Sequence, residues 1–237
     1  MTDDKNIINI DNIFSIGYRC NSCEFLEKYL NIRKYSSPFS YVVIDINTAL
    51  NFIDTKFETY VDMKYIRPGN KKYKFNNREW TSKFIHSDSI LNDEKSDILE
   101  MDKICIWCHH NLNDINIKKS FNKRSEHLLF KIHNTPNTCL LFYIEKLQNY
   151  DENIINYFNT DLLKKYECKF LIIIPLLNFN KDPFLFYEDD KIKIIYFNSN
   201  TSGWGVDAQC NANEWIKLKN LINSLYHFDI EDYSISI

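Results

Sequence analysis

The sequence predicts an α/β fold: a single three-layer, Rossmann-like domain with a mainly parallel central sheet flanked by helices. Apolar runs of strand length alternate with segments of helical periodicity along most of the chain, which is typical of parallel sheets covered on both faces. The run from Phe170 to Ile174 is apolar at every position, as expected of a central strand buried on both sides. The 237 residues, 44% of them hydrophobic, contain no linker or repeat. We therefore predict one domain over residues 1–237, with a fraying tail at 227–237.

Periodicity and turn residues place the elements in order along the chain. Apolar runs and alternation predict strands at residues 8–16, 83–86, 138–144, 169–175 and 191–197, with a further short apolar run at 103–108. Apolar residues at helical spacing predict helices at 22–30, 45–60, 115–133, 151–166 and 211–226. Asp45 is predicted to cap the second of these helices. The loops that follow the parallel strands should meet at one edge of the sheet, where sites form in such folds.

Composition excludes several classes of function. The net charge is −3 with acids and bases interspersed, so no basic surface supports nucleic-acid binding. No apolar run approaches the roughly 20 residues that span a bilayer, and the polar N-terminal segment does not resemble a signal peptide. We therefore expect a cytoplasmic protein without a membrane or nucleic-acid partner. The seven cysteines argue against a disulfide framework. No phosphate-binding glycine motif occurs, and no cofactor is predicted.

A strand, a glycine turn and a cysteine near the start form the candidate centre of the protein. Gly17 is one of only four glycines and follows a predicted strand, which suggests a close backbone approach or a positive φ. Cys20 then stands next to the start of a predicted helix, where free N–H groups favour a thiolate. Cys20 is therefore a candidate nucleophile, and the alternative is a buried cysteine that packs as a small apolar residue.

A cysteine nucleophile needs a base, and later segments offer candidates. His86 is one of six histidines and ends a predicted strand, although most histidines are structural. Asp207 could orient a histidine or cap the last helix. Lys123 and Arg124 could bind a phosphate or a carboxylate, or form a solvated helix face.

The cysteines also permit a metal interpretation. Cys20 and Cys23 form one Cys-x-x-Cys pair, and Cys105 and Cys108 form another, which is followed by histidines at 109–110. Tetrahedral zinc uses such ligands. The separation between the pairs is longer than a zinc ribbon allows, and no glycine follows either pair. Chance pairing in a cysteine-containing chain is the simpler interpretation.

Several segments, taken in order, carry a family resemblance. They are residues 13–20, 30–33, 37–41, 85–88, 123–127, 140–144 and 204–207, the last followed by Trp215. Together they resemble a family of unknown function from bacteria and large DNA viruses that is named "putative papain-like cysteine peptidase". The Phe-Asp-Trp segment of that family reads Phe39-Ser40-Tyr41 here, so a serine stands in place of the acid.

The resemblance implies a cysteine-dependent hydrolase. Cys20 would be the nucleophile, His86 the base and Asp207 their acidic partner. We further expect substrate contacts from residues on the same loops and on the basic helix: Gly17, Arg19, Ser40, Lys123, Arg124 and Trp204.

Two other functions stay open at this point. A Rossmann-like sheet with basic residues near a loop edge also suits a glycan-processing or nucleotide-sugar-dependent transferase. The serine at position 40 also fits a catalytically inactive binding protein. The substrate is accordingly a peptide, a glycan or a nucleotide-sugar. A viral origin would place the protein in the host cytoplasm or in the virion.

Overall fold

The computed structural model describes twelve stretches of the chain: residues 7–17, 21–32, 35–68, 72–75, 78–81, 84–86, 105–107, 110–144, 147, 149–177, 179–199 and 212–229. These residues form a mixed α/β protein. Its strands are β1 Ile8–Ile10, β2 Asn12–Gly17, β3 Val42–Ile44, β4 Ile66–Pro68, β5 Lys72–Phe75, β6 Arg78–Thr81, β7 Phe84–His86, β8 Cys105–Trp107, β9 Thr138–Tyr143, β10 Lys169–Leu177, β11 Phe184–Glu188, β12 Ile192–Ser199 and β13 Tyr226–Phe228.

Among the described residues, helices are fewer than strands. They are α1 Asn21–Phe25, which continues as a π-helical segment Leu26–Leu30, α2 Ile46–Asp54, α3 Ile115–Asn134, a 3-10 turn Ile154–Tyr157, α4 Thr160–Lys165 and α5 Ala212–Leu225. Among the helices described, none combines the length and the apolar character needed to cross a membrane.

The main sheet has five strands in the order β11-β12-β10-β9-β2. Strands β2, β9, β10 and β12 run parallel, and β11 pairs with β12 in the antiparallel direction. The predicted central strand is confirmed, because β10 lies between two parallel neighbours and Phe170 to Ile174 are fully buried.

Helices cover both faces of this sheet. On one face, Leu171 and Ile173 of β10 share a core with Trp215 of α5 and with the α1 segment. On the other face, Phe170 and Ile172 share a core with α2, α3 and α4. This alternation explains why β10 is apolar at consecutive positions, since both of its faces are buried.

Antiparallel strands depart from the predicted architecture. Strands β3, β8, β7 and β4 form a second, antiparallel sheet, β5 and β6 form a hairpin, and β1 pairs with β13. The α/β class is therefore confirmed, whereas these strands do not follow a simple Rossmann-like three-layer plan. All eight of these strands have only three or four residues. The predicted strand at 83–86 is confirmed by β7, but strands this short show too little apolar alternation to reveal β3, β4 and β13.

Two predicted helices end earlier or divide. Asp45 caps α2 as predicted, and its carboxylate accepts the Thr48 N–H at 2.8 Å. The helix stops at Asp54, and Lys56 and Phe57 adopt positive φ angles of 52° and 60°. Those angles cannot continue a right-handed helix. The predicted helix at 151–166 divides into the 3-10 turn and α4.

Candidate functional site

The parallel strands end at one edge of the main sheet, where sites form in α/β folds. The chain leaves β2 at Gly17 and begins α1 at Asn21; it leaves β12 at Ser199 and begins α5 at Ala212. Both of these connections therefore start at this edge. The predicted residues that they carry lie outside the described residues: Arg19, Cys20, Trp204 and Asp207.

Gly17 is the last residue of β2 and lies very close to the backbone of β9. It pairs with Tyr143 and has a φ of 158°. A Cβ atom at this position would lie 2.5 Å from the Tyr143 carbonyl oxygen and 2.8 Å from its amide nitrogen. The prediction of a close backbone approach is confirmed, and the two strands could not keep their separation around any other residue.

The first turn of α5 packs against the end of α1 and its π-helical continuation through aromatic rings. The Trp215 ring centroid lies 5.2 Å from that of Phe25 and 5.5 Å from that of Tyr29. Phe25 is one helical turn beyond Asn21, and Trp215 is close to the first residue of α5. The first turn of α5 therefore lies beside the α1 segment at Phe25 and Tyr29.

Polar side chains are buried at the start of α1. Asn21 and Ser22 are almost inaccessible to solvent, and both immediately follow Cys20. Cys23 is fully buried, so it packs into the core as a small apolar residue.

The cysteines that the structure describes are not arranged as metal ligands. Burial, reinforced by the nearby Asp45 carboxylate, raises the pKa of the Cys105 thiol well above its usual range. Within the described part of the chain no group of three or more His, Cys, Asp or Glu side chains could hold a metal ion. Cys108 and His109 lie outside it.

His86 ends β7 in the antiparallel sheet and is 1% exposed. Its ring meets Phe52 edge-on, with centroids 5.1 Å apart, and lies parallel to Tyr65 at 6.2 Å. Its Nε2 atom is 3.3 Å from the Thr59 carbonyl oxygen. A proton on Nε2 can be donated to that oxygen, and this tautomer makes Nδ1 the basic nitrogen. His86 therefore has an oriented ring within an aromatic enclosure.

Ser40 belongs to a buried turn. Its hydroxyl oxygen accepts the Ser37 N–H at 3.0 Å, and the Ser37 hydroxyl accepts the Phe39 N–H at the same distance. Tyr60 donates its hydroxyl to the Pro38 carbonyl at 2.8 Å and holds the turn against the core. The Ser40 oxygen is thus used within its own turn. A carboxylate at this position could accept the same N–H.

Lys123 and Arg124 lie on different parts of the surface of α3. Lys123 is exposed, and Arg124 is half-buried with its guanidinium carbon 5.6 Å from the centroid of the Phe121 ring. Burial, with a smaller contribution from Cys105, raises the pKa of the Tyr60 hydroxyl well above its usual range, and the charge of Arg124 only partly opposes this. Arg124 therefore lies close to the aromatic core as well as to solvent.

A charged network lies at the start of α5. The Lys217 ammonium donates to Asp182 at 2.8 Å and to Glu214 at 3.1 Å. These two hydrogen bonds raise the pKa of Lys217. Glu214 is mostly buried, so this contact ties the first turn of α5 to the connection between β10 and β11.

One histidine was not among the catalytic residues predicted from the sequence. His110 is partly exposed, and its ring meets Phe121 of α3 edge-on with centroids 4.9 Å apart. In the sequence it stands out only as one of the two histidines that follow the Cys105–Cys108 pair of the metal interpretation.

Comparison with known proteins gives one match. The family model described as "Putative papain-like cysteine peptidase" matches residues 11–179. The matched range contains Cys20, His86 and Arg124, and it ends before Asp207. Neither the curated proteins nor the solved structures gave a significant match. Because the match spans more than two thirds of the chain, the protein belongs to the family described as putative papain-like cysteine peptidase.

Proposed function

We propose that the protein is a cysteine-dependent hydrolase with Cys20 as its nucleophile, at the edge where the parallel strands end. Family membership supports a cysteine peptidase at the level of the family. The assignment of the nucleophile to Cys20 rests on the close contact between Gly17 and the backbone of Tyr143. This contact fixes the direction in which the chain leaves β2, three residues before Cys20.

The position of Cys20 suits a thiolate. It immediately precedes Asn21, where α1 begins and continues without a break into the π-helical segment. N–H groups at the start of a helix have no intrahelical acceptors and stabilise negative charge. A thiol at such a position is favoured as the thiolate, which is the form that attacks carbonyl carbon.

The reaction follows the usual course for a cysteine and a base. The base takes the thiol proton, the thiolate attacks the carbonyl carbon, and the leaving amine receives that proton as the C–N bond breaks. Water then hydrolyses the thioester to release a carboxylate. His86 is the base that the family resemblance implies, and the hydrogen bond from Nε2 to Thr59 is compatible with a basic Nδ1. Asp207 is proposed as the group that orients the histidine.

Peptides are the proposed substrates, on the basis of family membership. Arg124 and Lys123 are proposed to recognise an acidic group on the substrate. The environment of Ser40 weakens the case for an inactive binding protein, because its hydroxyl serves the local turn. Absence of an aspartate there does not by itself imply absence of catalysis.

Alkylation of the native protein with iodoacetamide tests this proposal. Cys20 should react faster than free N-acetylcysteine at neutral pH, and peptide mass spectrometry would identify the site. Cys23, Cys105, Cys139 and Cys168 provide an internal control because all four are buried. Burial also raises the pKa of Cys168 to about 12.

The comparison with Cys20→Ser completes the experiment. This variant should lose the fast alkylation and any hydrolysis of a fluorogenic peptide library. A rate for Cys20 no greater than that of N-acetylcysteine would contradict the proposal.

A further inference from the structure

We infer that the exposed face of α3 is a docking site for an acidic segment of the substrate peptide. The inference deepens the proposed function and rests on it, because only a hydrolase makes the bound peptide a substrate. It is carried by the charge of α3, by the alignment of its exposed side chains and by the position of the helix along the main sheet.

Positive charge is concentrated on α3. The chain has 29 basic and 32 acidic residues, and α3 holds five of the basic residues and one of the acidic ones, which leaves a net charge of −7 for the rest. No ion pair joins Lys119 or Lys123 to another of the described residues, whereas Lys165 and Lys217 on other helices are paired with acids. The charge of α3 is therefore available to an acidic partner.

The exposed side chains of α3 form a straight line. Lys119 and Lys123 are exposed, and Phe130 is 59% exposed. At about 100° per residue these three positions fall within about 40° of the helix circumference. We call them the outer stripe. The buried side of the helix, which faces the core, consists of Phe121, Ser125, Leu128 and Ile132.

The spacing of the outer stripe suits an extended peptide. Lys119 and Lys123 are about 6 Å apart along the helix at 1.5 Å per residue. Side chains two positions apart on one face of an extended chain are roughly 6.6 Å apart. Two acids in an acid-x-acid pattern can therefore meet both lysines at once. Phe130 lies roughly 10 Å beyond Lys123, where an apolar side chain of the same peptide can cover it.

A peptide fits this face better than a membrane or a nucleic acid does. A duplex or a bilayer surface extends beyond one helix and would meet the acidic remainder of the chain. Insertion into a bilayer also needs a continuous apolar face. The exposed apolar residues of α3, Ile115 and Phe130, are instead about 22 Å apart along the helix.

The outer stripe begins level with the edge where the parallel strands end. Helix α3 leads into β9 through residues 135–137, and β9 is parallel to β2, so α3 runs antiparallel to β2. The His127 ring meets the Phe14 ring of β2 with centroids 5.7 Å apart. Lys119 is eight residues before His127, about 12 Å along the helix, and Gly17 is roughly 10 Å beyond Phe14. A peptide on the outer stripe therefore has one end at the edge where the proposed chemistry takes place.

Fluorescence anisotropy of a labelled peptide, Gly-Glu-Ser-Glu-Ser-Leu-Ser-Leu, tests the inference. It is titrated with the Cys20→Ser protein at low ionic strength, so that the peptide stays intact. Replacing Lys119 and Lys123 together by glutamine should raise the Kd roughly fivefold, as expected for the loss of two exposed charge pairs. Glu126→Gln removes the acid beside the outer stripe and should lower the Kd by about twofold. A peptide with glutamine in place of both glutamates should bind several-fold more weakly.

The matched control replaces two exposed lysines outside α3, Lys64 and Lys164, by glutamine. This variant has the same net charge as the α3 double variant and should keep the parent Kd. Equal Kd values for the two double variants would overturn the inference, as would weaker binding by Glu126→Gln. Tighter binding of a DNA duplex or of phosphatidylserine vesicles than of the peptide, lost in the α3 variant, would also overturn it.

Alkylation of Cys20 in the parent protein separates this inference from the proposed function. Fast alkylation without measurable peptide binding would overturn the docking site and leave the nucleophile in place. Slow alkylation with the expected order of Kd values would reject the hydrolase and uphold the docking site. Thermal melting would verify that each variant is folded, which we expect because every substituted side chain is exposed.

Discussion

Gly17 shows how one residue fixes the separation of two neighbouring strands. Gly17→Ala should lower the free energy of unfolding by about 1–3 kcal/mol, because the added methyl meets the Tyr143 backbone at 2.5 Å and the strands must separate. The same displacement should slow alkylation of Cys20. Urea denaturation would measure the first effect, and mass spectrometry of alkylated peptides would measure the second.

Ser15→Ala is the matched control for Gly17→Ala. Ser15 points to the same face of β2, and its buried Oγ has no hydrogen-bond partner among the described residues. Removing an unsatisfied hydroxyl should leave the free energy of unfolding unchanged or raise it by up to about 1 kcal/mol. Equal destabilisation by Ser15→Ala and Gly17→Ala would mean that the strand tolerates no substitution at all, and that the Tyr143 contact has no special role.

Ser40 provides a second prediction at a single residue. Ser40→Ala removes the acceptor of the buried Ser37 N–H and should cost about 1–2 kcal/mol of stability. Chemical denaturation would measure this loss. If the hydroxyl serves only its turn, the rate of Cys20 alkylation should equal that of the parent protein. A normal stability with a reduced alkylation rate would instead place Ser40 in the catalytic machinery.

The sequence identified some of these residues for the right physical reason. Gly17 was recognisable because glycine is scarce in this chain and follows an apolar strand. The enclosure of His86 was not predictable, because Phe52 and Tyr65 come from other segments and meet it only in the folded chain. The same limit applies to His110, whose contact with Phe121 depends on how α3 packs.

At the scale of secondary-structure elements, the turn between β11 and β12 is held together by the carboxylate of Asp189. Asp189 accepts the Ile192 N–H at 2.7 Å, the Lys191 N–H at 2.9 Å and the Tyr187 hydroxyl at 2.9 Å. Burial alone would raise its pKa, but these hydrogen bonds outweigh burial and the pKa is lowered from 3.8. The folded protein therefore binds this proton less tightly than the unfolded chain does.

Asp189→Ala should lower the free energy of unfolding at neutral pH by about 1 kcal/mol, a modest value because the side chain is partly exposed. The lowered pKa means that the stabilisation is present above pH 3.8 and is lost as the pH falls through the folded-state pKa. Urea titrations at neutral pH and at about pH 3 should show the difference from the parent shrinking in acid. Asp190→Ala is the control, because the observed contact of Asp190 uses its backbone oxygen. A loss independent of pH would contradict the role of the carboxylate.

Elements were predictable from the sequence where they are long and their burial is regular. The apolar run of β10 and the 20-residue α3 were both placed within a few residues of their observed bounds. Strand β3 was missed because its three residues are all buried and show no alternation. Strand β11 was missed because all but its last residue are half-buried and a register irregularity interrupts it.

Across the whole molecule, the two ends of the described chain close on the same face of the main sheet. Strand β1 precedes β2, and β13 follows α5, yet β1 and β13 pair in parallel. Helix α5 thus crosses the face that α1 also covers, and Trp215 joins the two helices. This arrangement depends on contacts between residues about 190 to 220 positions apart, which periodicity within a segment cannot reveal.

The contact between α5 and α1 leads to a prediction for the molecule as a whole. Trp215→Ala should cost about 3–5 kcal/mol, because its ring packs against Phe25, Tyr29 and Phe197 at 5.0–5.5 Å. It should also slow alkylation of Cys20, since α1 would lose the support that positions its first turn. The alkylation rates of Cys20 in this variant and in the parent protein, both measured well below the melting temperature, would test this prediction.

Ile222→Ala separates this coupling from a general loss of stability. Ile222 is fully buried on the same helix, about two turns beyond Trp215, and its truncation should cost about 2–5 kcal/mol. In this variant Cys20 should react at the rate of the parent protein, because Trp215 keeps its contacts with Phe25 and Tyr29. If Ile222→Ala slows the reaction as much as Trp215→Ala, lost stability alone explains both results. If Trp215→Ala reacts like the parent, the position of Cys20 is set by β2 and Gly17 without help from α5.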